Sequence, residues 1–282
     1  MSSFSKKGYI QKCIHCSNNF SLKFNKCPKC KLWKIGTPQH MIPKNDIIYN
    51  IKDVYVINLE KDKRRLSFFT DNIKKFNVST KNRNWNRFTA INGKDFNIIE
   101  KELYEIPEKT RKTVIEYWKK YPGSIGCYLS HIKLWKHIYE DKNSGEYILI
   151  LEDDSFFTPH GLINIELVLK DITKLKWDLL YAGHNLLKGT KISSLILKPY
   201  QANPTENNRG FNSGLFGYII RKSSIPKLLC IVKQFQSPFI DVQIRNSFGN
   251  NPNSINGLFI ISNLIRHNDY GSSSRKNFDN KI

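Results

Sequence analysis

Three consecutive carboxylates, Glu152, Asp153 and Asp154, follow the apolar run YILIL (147–151) without a break. Like charges held side by side destabilise one another, so such a trio persists where a cation offsets it. Two kinds of cation suit the position. One is a basic side chain; the other is a divalent ion such as Mg²⁺ or Mn²⁺, which favours carboxylate oxygen and bridges it to phosphates. An ion there would offset charge on a departing diphosphate. The same acids also suit the first turn of a helix, where the dipole favours negative charge.

A second group with chemical meaning lies near the amino terminus. Cys13, Cys16, Cys27 and Cys30 form two C-x2-C knuckles joined by ten residues. Four thiolates so spaced reach the corners of one tetrahedron, the arrangement Zn²⁺ prefers, and four ligands close its shell. The site is therefore structural, and zinc would supply most of the folding energy of so small a unit. His15 sits inside the first knuckle and reads as a bystander. Residues 1–36 are expected to be a zinc ribbon, a module that binds nucleic acid, binds protein or simply docks. Cys127 and Cys230 are isolated in apolar segments and read as buried thiols.

Further candidates sit where strands are expected to end. Asn58 and Arg64 follow VYVIN; a guanidinium there suits a bidentate phosphate contact and equally a solvated first helical turn. Asn92 and Gly93 end the next strand, where backbone could approach a ring closely or simply turn. His131 lies on the helix before the acidic strand and suits either a site or a packed core.

These residues need a frame. VYVINL (54–59) is a β-branched run of the kind buried on both faces of a sheet. Asp62 is placed to cap a helix whose apolar positions Leu66, Phe69, Ile73 and Phe76 recur at helical spacing. WNRFTAING (85–93) reads as a strand and turn, and 124–140 as a helix capped by Ser124. Strands at 146–151, 177–183, 210–221 and within 257–265 alternate with helices at 161–172 and 223–235. Such alternation implies an α/β domain with a largely parallel sheet, whose ligands sit at the carboxyl ends of the strands. YILIL is then the buried strand, and the acids stand at its carboxyl end. GTPQHMIPKND (36–46) marks a linker, giving a ribbon (1–36), a linker (37–52), a main domain (53–272) and a basic tail (273–282).

Composition narrows the classes. The chain has 282 residues, 40% of them hydrophobic, which supports a core. No run of about 18 apolar residues suggests a membrane span. No apolar leader precedes the cysteines, so a cytoplasmic location is expected. Lys and Arg number 45 against 24 Asp and Glu, a formal net charge of +21. That excess implies attraction to polyanions, nucleotide phosphates and nucleic acid among them, or a generally basic solvated surface.

The order of VYVINLEKDKRR, RFTAINGKD, GSIGCYLSHIKLW, YILILEDDSFF, DLLYAG and FNSGLFGYIIRKSSIPKLL resembles glycosyltransferase family 25 over about residues 53–270. That family includes lipooligosaccharide galactosyltransferases and collagen β-galactosyltransferases. The resemblance implies a GT-A-like fold, a mixed and largely parallel sheet flanked by helices. It implies a UDP-sugar donor (galactose or glucose), a divalent metal, usually Mn²⁺, and inverting transfer to a glycan or protein hydroxyl. Asn58, Leu59 and Arg64 would lie at the nucleotide. Ala90, Asn92 and Gly93 match the family's A-V-D-G turn, with Asn92 in place of the usual Asp. Ser130 and His131 match its LSH motif. Asp154 would be the direct metal ligand, with Glu152 or Asp153 assisting and His267, in LIRHNDYGSSSR, a further ligand. Asp241, in SPFIDVQI, would be the base that takes the acceptor proton; the position also suits a helix N-cap. With no leader and an appended ribbon, a microbial or viral source is expected. Two other classes stay open: a ribbon-borne nucleic-acid binder with an inactive transferase-like domain, and a metal-dependent phosphoesterase.

Overall fold

The computed structural model describes residues 10–13, 18–21, 26–32, 50–75, 83–104, 106–200, 212–249, 251 and 253–268. Cys16, the basic tail and most of the expected linker lie outside them. The chain opens with an antiparallel hairpin, β1 (Ile10–Lys12) and β2 (Asn19–Ser21). Next come β3 (Ile51–Asn58), α1 (Lys63–Lys75), β4 (Asn84–Thr89), α2 (Phe96–Leu103), α3 (Glu108–Lys120) and α4 (Pro122–Glu140). β5 (Tyr147–Glu152), β6 (Ser155–Phe157), α5 (Gly161–Asp171), β7 (Leu179–Gly183), β8 (Gly189–Lys191) and β9 (Ile196–Pro199) follow. The domain finishes with β10 (Gly217–Arg221), α6 (Ile225–Val232), α7 (Ile240–Asn246), β11 (Gly257–Ile260) and β12 (Ile265–His267).

Among the described residues the central sheet runs β4-β3-β5-β10-β7-β11-β9-β8. β10 and β9 run against the other strands, so the sheet is mixed and mostly parallel, as expected. Side chains on a strand alternate between its faces, and both faces are covered. In β5, Ile148 and Ile150 join one buried cluster with α4, α6 and α7 residues such as Trp135, Leu228 and Ile244. Leu149 and Leu151 join the other, with Phe69 of α1 and Ile165 and Val168 of α5. Cys13, Cys27, Cys30 and Leu32 belong to that second cluster too, so the amino-terminal module packs on the α1–α5 face.

β3 begins at Ile51, two residues inside the expected linker. α4 begins at Pro122, so Ser124 lies buried in its first turn instead of capping it. The reason is Pro122, which fits the first helical position because its missing N–H needs no partner there. α4 is then seated against the turn after β4. A Cβ on Gly126 would stand 2.6 Å from Gly93 N and 2.7 Å from Ile91 O, and one on Gly93 would stand 1.8 Å from Pro122 O. Ser130 Oγ accepts from Ile91 N at 2.8 Å, and Trp118 Nε1 donates to Gly93 O at 2.6 Å. Gly93 therefore serves close backbone packing, which the sequence alone left open between a ligand and a turn. No helix among the described residues is long and apolar enough to cross a membrane.

Replacing Gly126 by Ala forces backbone against backbone, and overpacking of this kind costs about 1–3 kcal/mol. The urea midpoint of Gly126→Ala should fall with its slope unchanged; an unshifted midpoint would refute the contact.

Candidate active site

The carboxyl ends of β3, β4 and β5 lie side by side, which brings Asn58, Ala90 and Glu152 to one edge. Asn58 is buried and joins three segments. Its Nδ2 donates to Asp62 O at 3.1 Å and to Asp153 Oδ2 at 2.7 Å, and its Oδ1 accepts from Arg87 Nε at 2.9 Å. Arg65, on the first turns of α1, donates through Nη1 to Asp153 Oδ1 at 2.9 Å. Its Nη2 lies 3.6 Å from Asp154 Oδ2 and its Nε 3.7 Å from Asp62 Oδ2. The cation at the trio is thus Arg65. Arg64, expected at the nucleotide, is exposed on the first turn of α1.

Each acid has a different environment. Asp153 is buried, and burial raises its pKa although Asn58 and Arg65 act to lower it. Asp154 is raised to about 7, by burial first and then by the Glu152 charge, with Arg65 opposing. Its Oδ1 is buried and has no hydrogen-bond partner among the described residues. Buried acceptors are rarely left so, and an orphaned carboxylate oxygen beside two other acids is the donor set a hard divalent cation takes. β12 pairs antiparallel with β6 and sets His267 opposite Ser155, while Asn268 N donates to Asp154 O at 3.0 Å. That pairing brings the late histidine to the acids across more than a hundred residues of chain. The His267 ring packs on Phe216 with centroids 4.6 Å apart.

Glu152 faces α4. Cys127 Sγ is 3.8 Å from Glu152 Oε1 and His131 Nε2 is 3.4 Å from it. Trp135 Nε1 donates to Tyr218 Oη at 3.0 Å, and Tyr218 Oη bonds His131 Nδ1 at 2.7 Å. The Tyr218 oxygen can accept from Trp135 and either donate to or accept from Nδ1, while Nε2 of the same ring faces Glu152. Burial acts to raise Glu152, yet the His131 hydrogen bond and the charges of His131, His267 and Arg65 bring it below the usual carboxylate value. Asp241 opens α7, where its carboxylate accepts from the N–H groups of Val242 (2.9 Å) and Gly214. Burial raises its pKa, and the Glu152 charge adds to the rise. Gly214 has φ +101°, and a Cβ there would stand 2.7 Å from the Phe216 ring.

Several expectations change here. His131 has no exposed surface, and its ring nitrogens face Tyr218 and Glu152. Asp241 lies in the first turn of its helix and Phe239 is the N-cap residue. Cys127 is half-buried beside an acid and Cys230 is exposed, so neither is a plain core thiol. Leu59, Ala90 and Asn92 are half-buried at the same sheet edge. Sequence reading missed Arg65, Arg87 and Tyr218. Arg65 had a signal, since it lies one helical turn before buried Phe69.

In the amino-terminal module, Cys13, Cys27 and Cys30 are buried with their sulfurs within 4.8 Å of one another. Cys13 Sγ and Cys30 Sγ are 3.6 Å apart, against about 3.8 Å for two sulfurs on one tetrahedral zinc. Burial, with Cys13 adding, raises the Cys30 thiol.

Asp154 sets a pH dependence. Its folded pKa lies above that of the unfolded chain, so its contribution favours folding at low pH and is lost as pH rises towards 7. Without added divalent metal, Asp154→Asn should therefore be more stable than the parent at pH 8, on the order of 2 kcal/mol. The gain should vanish by pH 4. Urea titrations at both pH values decide it; a variant less stable at pH 8 would contradict the assignment.

The model of "Glycosyltransferase family 25 (LPS biosynthesis protein)" matches residues 51–244. A glycosyltransferase 25 family member of Aedes aegypti is 26% identical over 221 residues, 76% of this chain and 34% of that protein. Mouse procollagen galactosyltransferase 2 is 24% identical over 67% of this chain and 29% of its own. The chain thus spans about a third of the length of these relatives. A crystal structure of a glycosyltransferase involved in the glycosylation of the major capsid of PBCV-1 covers 80% of this chain and 96% of its own, with 9% identity and a TM-score of 0.41. The match to the family model takes in the Asn58 turn, the LSH motif, the acidic trio and Asp241, and the chain belongs to glycosyltransferase family 25.

Proposed function

We propose that the chain transfers a hexose, galactose or glucose, from a UDP-sugar to a hydroxyl of a glycan or protein, with inversion and with help from a divalent metal. The observation that carries the reading is the orphaned Asp154 Oδ1 in an acidic trio at the sheet edge. Asp154, Glu152 and Asp153 would hold Mn²⁺ or Mg²⁺, with His267 beside them. A metal bound there would supply Lewis-acid stabilisation of the departing diphosphate.

The chain's own groups do the rest. Asn58 fixes Asp153 and places Arg65 and Arg87 at the same edge, where their guanidinium groups can take phosphate oxygens. Leu59, Ala90 and Asn92 form the half-buried floor for the nucleoside. His131 keeps Glu152 ionised and oriented. Asp241 takes the acceptor hydroxyl proton as the anomeric carbon is attacked from the opposite side; its raised pKa makes it the more effective base. Capture of nucleic acid by the amino-terminal module finds no support in the family match or the relatives.

For that module we propose a structural Zn²⁺ on Cys13, Cys27 and Cys30, with Cys16, outside the described residues, as fourth ligand. Zinc displaces the thiol protons and closes the shell, which fixes the hairpin against the α1–α5 face. Purified protein should release about one zinc per chain on denaturation; Cys27→Ser should release none and melt earlier. Full zinc content in that variant would exclude the site.

UDP-galactose and UDP-glucose, each with Mn²⁺, test the catalytic reading. The parent should form UDP, Asp154→Ala should lose at least a hundredfold, and Asp241→Asn should lose turnover while still binding UDP. Formation of UMP would point to a phosphoesterase instead, and activity unchanged in Asp154→Ala would end the proposal.

A further inference from the structure

Cys127 takes no part in the chemistry above, yet it stands at the acids. Residues 127 and 131 of α4 are one turn apart and share a face, and β5 ends with Glu152 against it. Cys127 Sγ, His131 Nε2 and a Glu152 oxygen lie within 4.8 Å of one another. Two edges of that triangle measure 3.4 Å (nitrogen to oxygen) and 3.8 Å (sulfur to oxygen). A tetrahedral Zn²⁺ with the usual bond lengths spans edges of about 3.4 Å and about 3.6 Å. Two of the three edges are close to those of a zinc tetrahedron, and the third is within 4.8 Å.

We infer that Cys127, His131 and Glu152 form a second metal site, for soft divalent ions such as Zn²⁺, and that its occupation inhibits the enzyme by drawing Glu152 out of the acidic trio. A thiolate and an imidazole select Zn²⁺ over Mn²⁺ or Mg²⁺. Tyr218 behind Nδ1, itself bonded by Trp135, is the outer partner that orients a metal-binding imidazole. Burial first, then the charges of Glu152, Asp241 and Asp154, push the Cys127 thiol up, so an ion bound there must displace its proton. Capture releases the Cys127 proton to solvent. The ion takes the tautomer whose hydrogen sits on Nδ1 and is donated to the Tyr218 oxygen, which leaves the Nε2 lone pair for the metal. That requirement makes the site weaker than a closed four-cysteine centre, so a chelator reverses it. The fourth position is left to water or a substrate oxygen.

The ion's capture stands on geometry; only the inhibition rests on the proposed transferase activity. The full chain, its amino-terminal cysteines loaded with zinc, is treated with an alkylating agent and mapped by peptide mass. Micromolar Zn²⁺ should slow alkylation of Cys127 at least tenfold, and Mn²⁺ should not. Co²⁺ should raise a thiolate-to-metal absorption band that Cys127→Ser lacks and His131→Gln weakens. Alkylation indifferent to Zn²⁺, or a band unchanged in Cys127→Ser, would overturn the site. Zn²⁺ should also suppress Mn²⁺-supported UDP-sugar turnover, with Cys127→Ser needing at least tenfold more. If no sample turns over a UDP-sugar, the transferase reading fails while the alkylation and cobalt results still decide the site.

Discussion

Crowded negative charge at the end of a buried strand is the constraint around which this fold is organised. Each acid of the trio meets a different partner from a different element. Asp153 is held by Asn58 from the end of β3 and by Arg65 from α1. Glu152 is met by His131 from α4. Among the described residues, Asp154 has a distant edge of Arg65 beside one oxygen, and its other oxygen has no hydrogen-bond partner. Burial and the neighbouring Glu152 charge raise its pKa to about 7, so a divalent ion bound there would compete with a proton and offset the crowded charge. The uneven division of support is what singles out Asp154 within the trio.

The rest of the domain fixes the distances on which that division depends. Two clusters of side chains clamp β5 from both faces, so its end cannot drift. β10, reversed between β5 and β7, brings Tyr218 behind His131, and it starts beside the loop that contains Gly214. Tight glycine contacts between α4 and the turn after β4 fix the helix that carries Cys127 and His131. A small antiparallel pair, β6 with β12, then closes the edge and carries His267 to it.

Much of this frame is legible in the sequence. VYVINL and YILIL are runs that only a doubly covered sheet accommodates, and the acids that follow them fall at a carboxyl edge. The helix phase that places Phe69 inside also places Arg65 towards the strands; two adjacent arginines obscure that choice until the phase is applied. Other parts leave no local trace. Tyr218 meets His131 across 87 residues, and no periodicity encodes such a pairing. β8, β9 and β12 are three or four residues long and carry too little pattern to be recognised. The polar α3 shows little apolar stripe, with Val114 its one buried residue.

The cysteine hairpin shares its buried contacts with the α1–α5 layer, and this has a practical side. A chain trimmed to start at residue 50 would turn an oily surface towards water. Its first symptom would be clumping of otherwise intact molecules, and adding the missing piece back as a separate peptide, with its metal, would be the natural remedy.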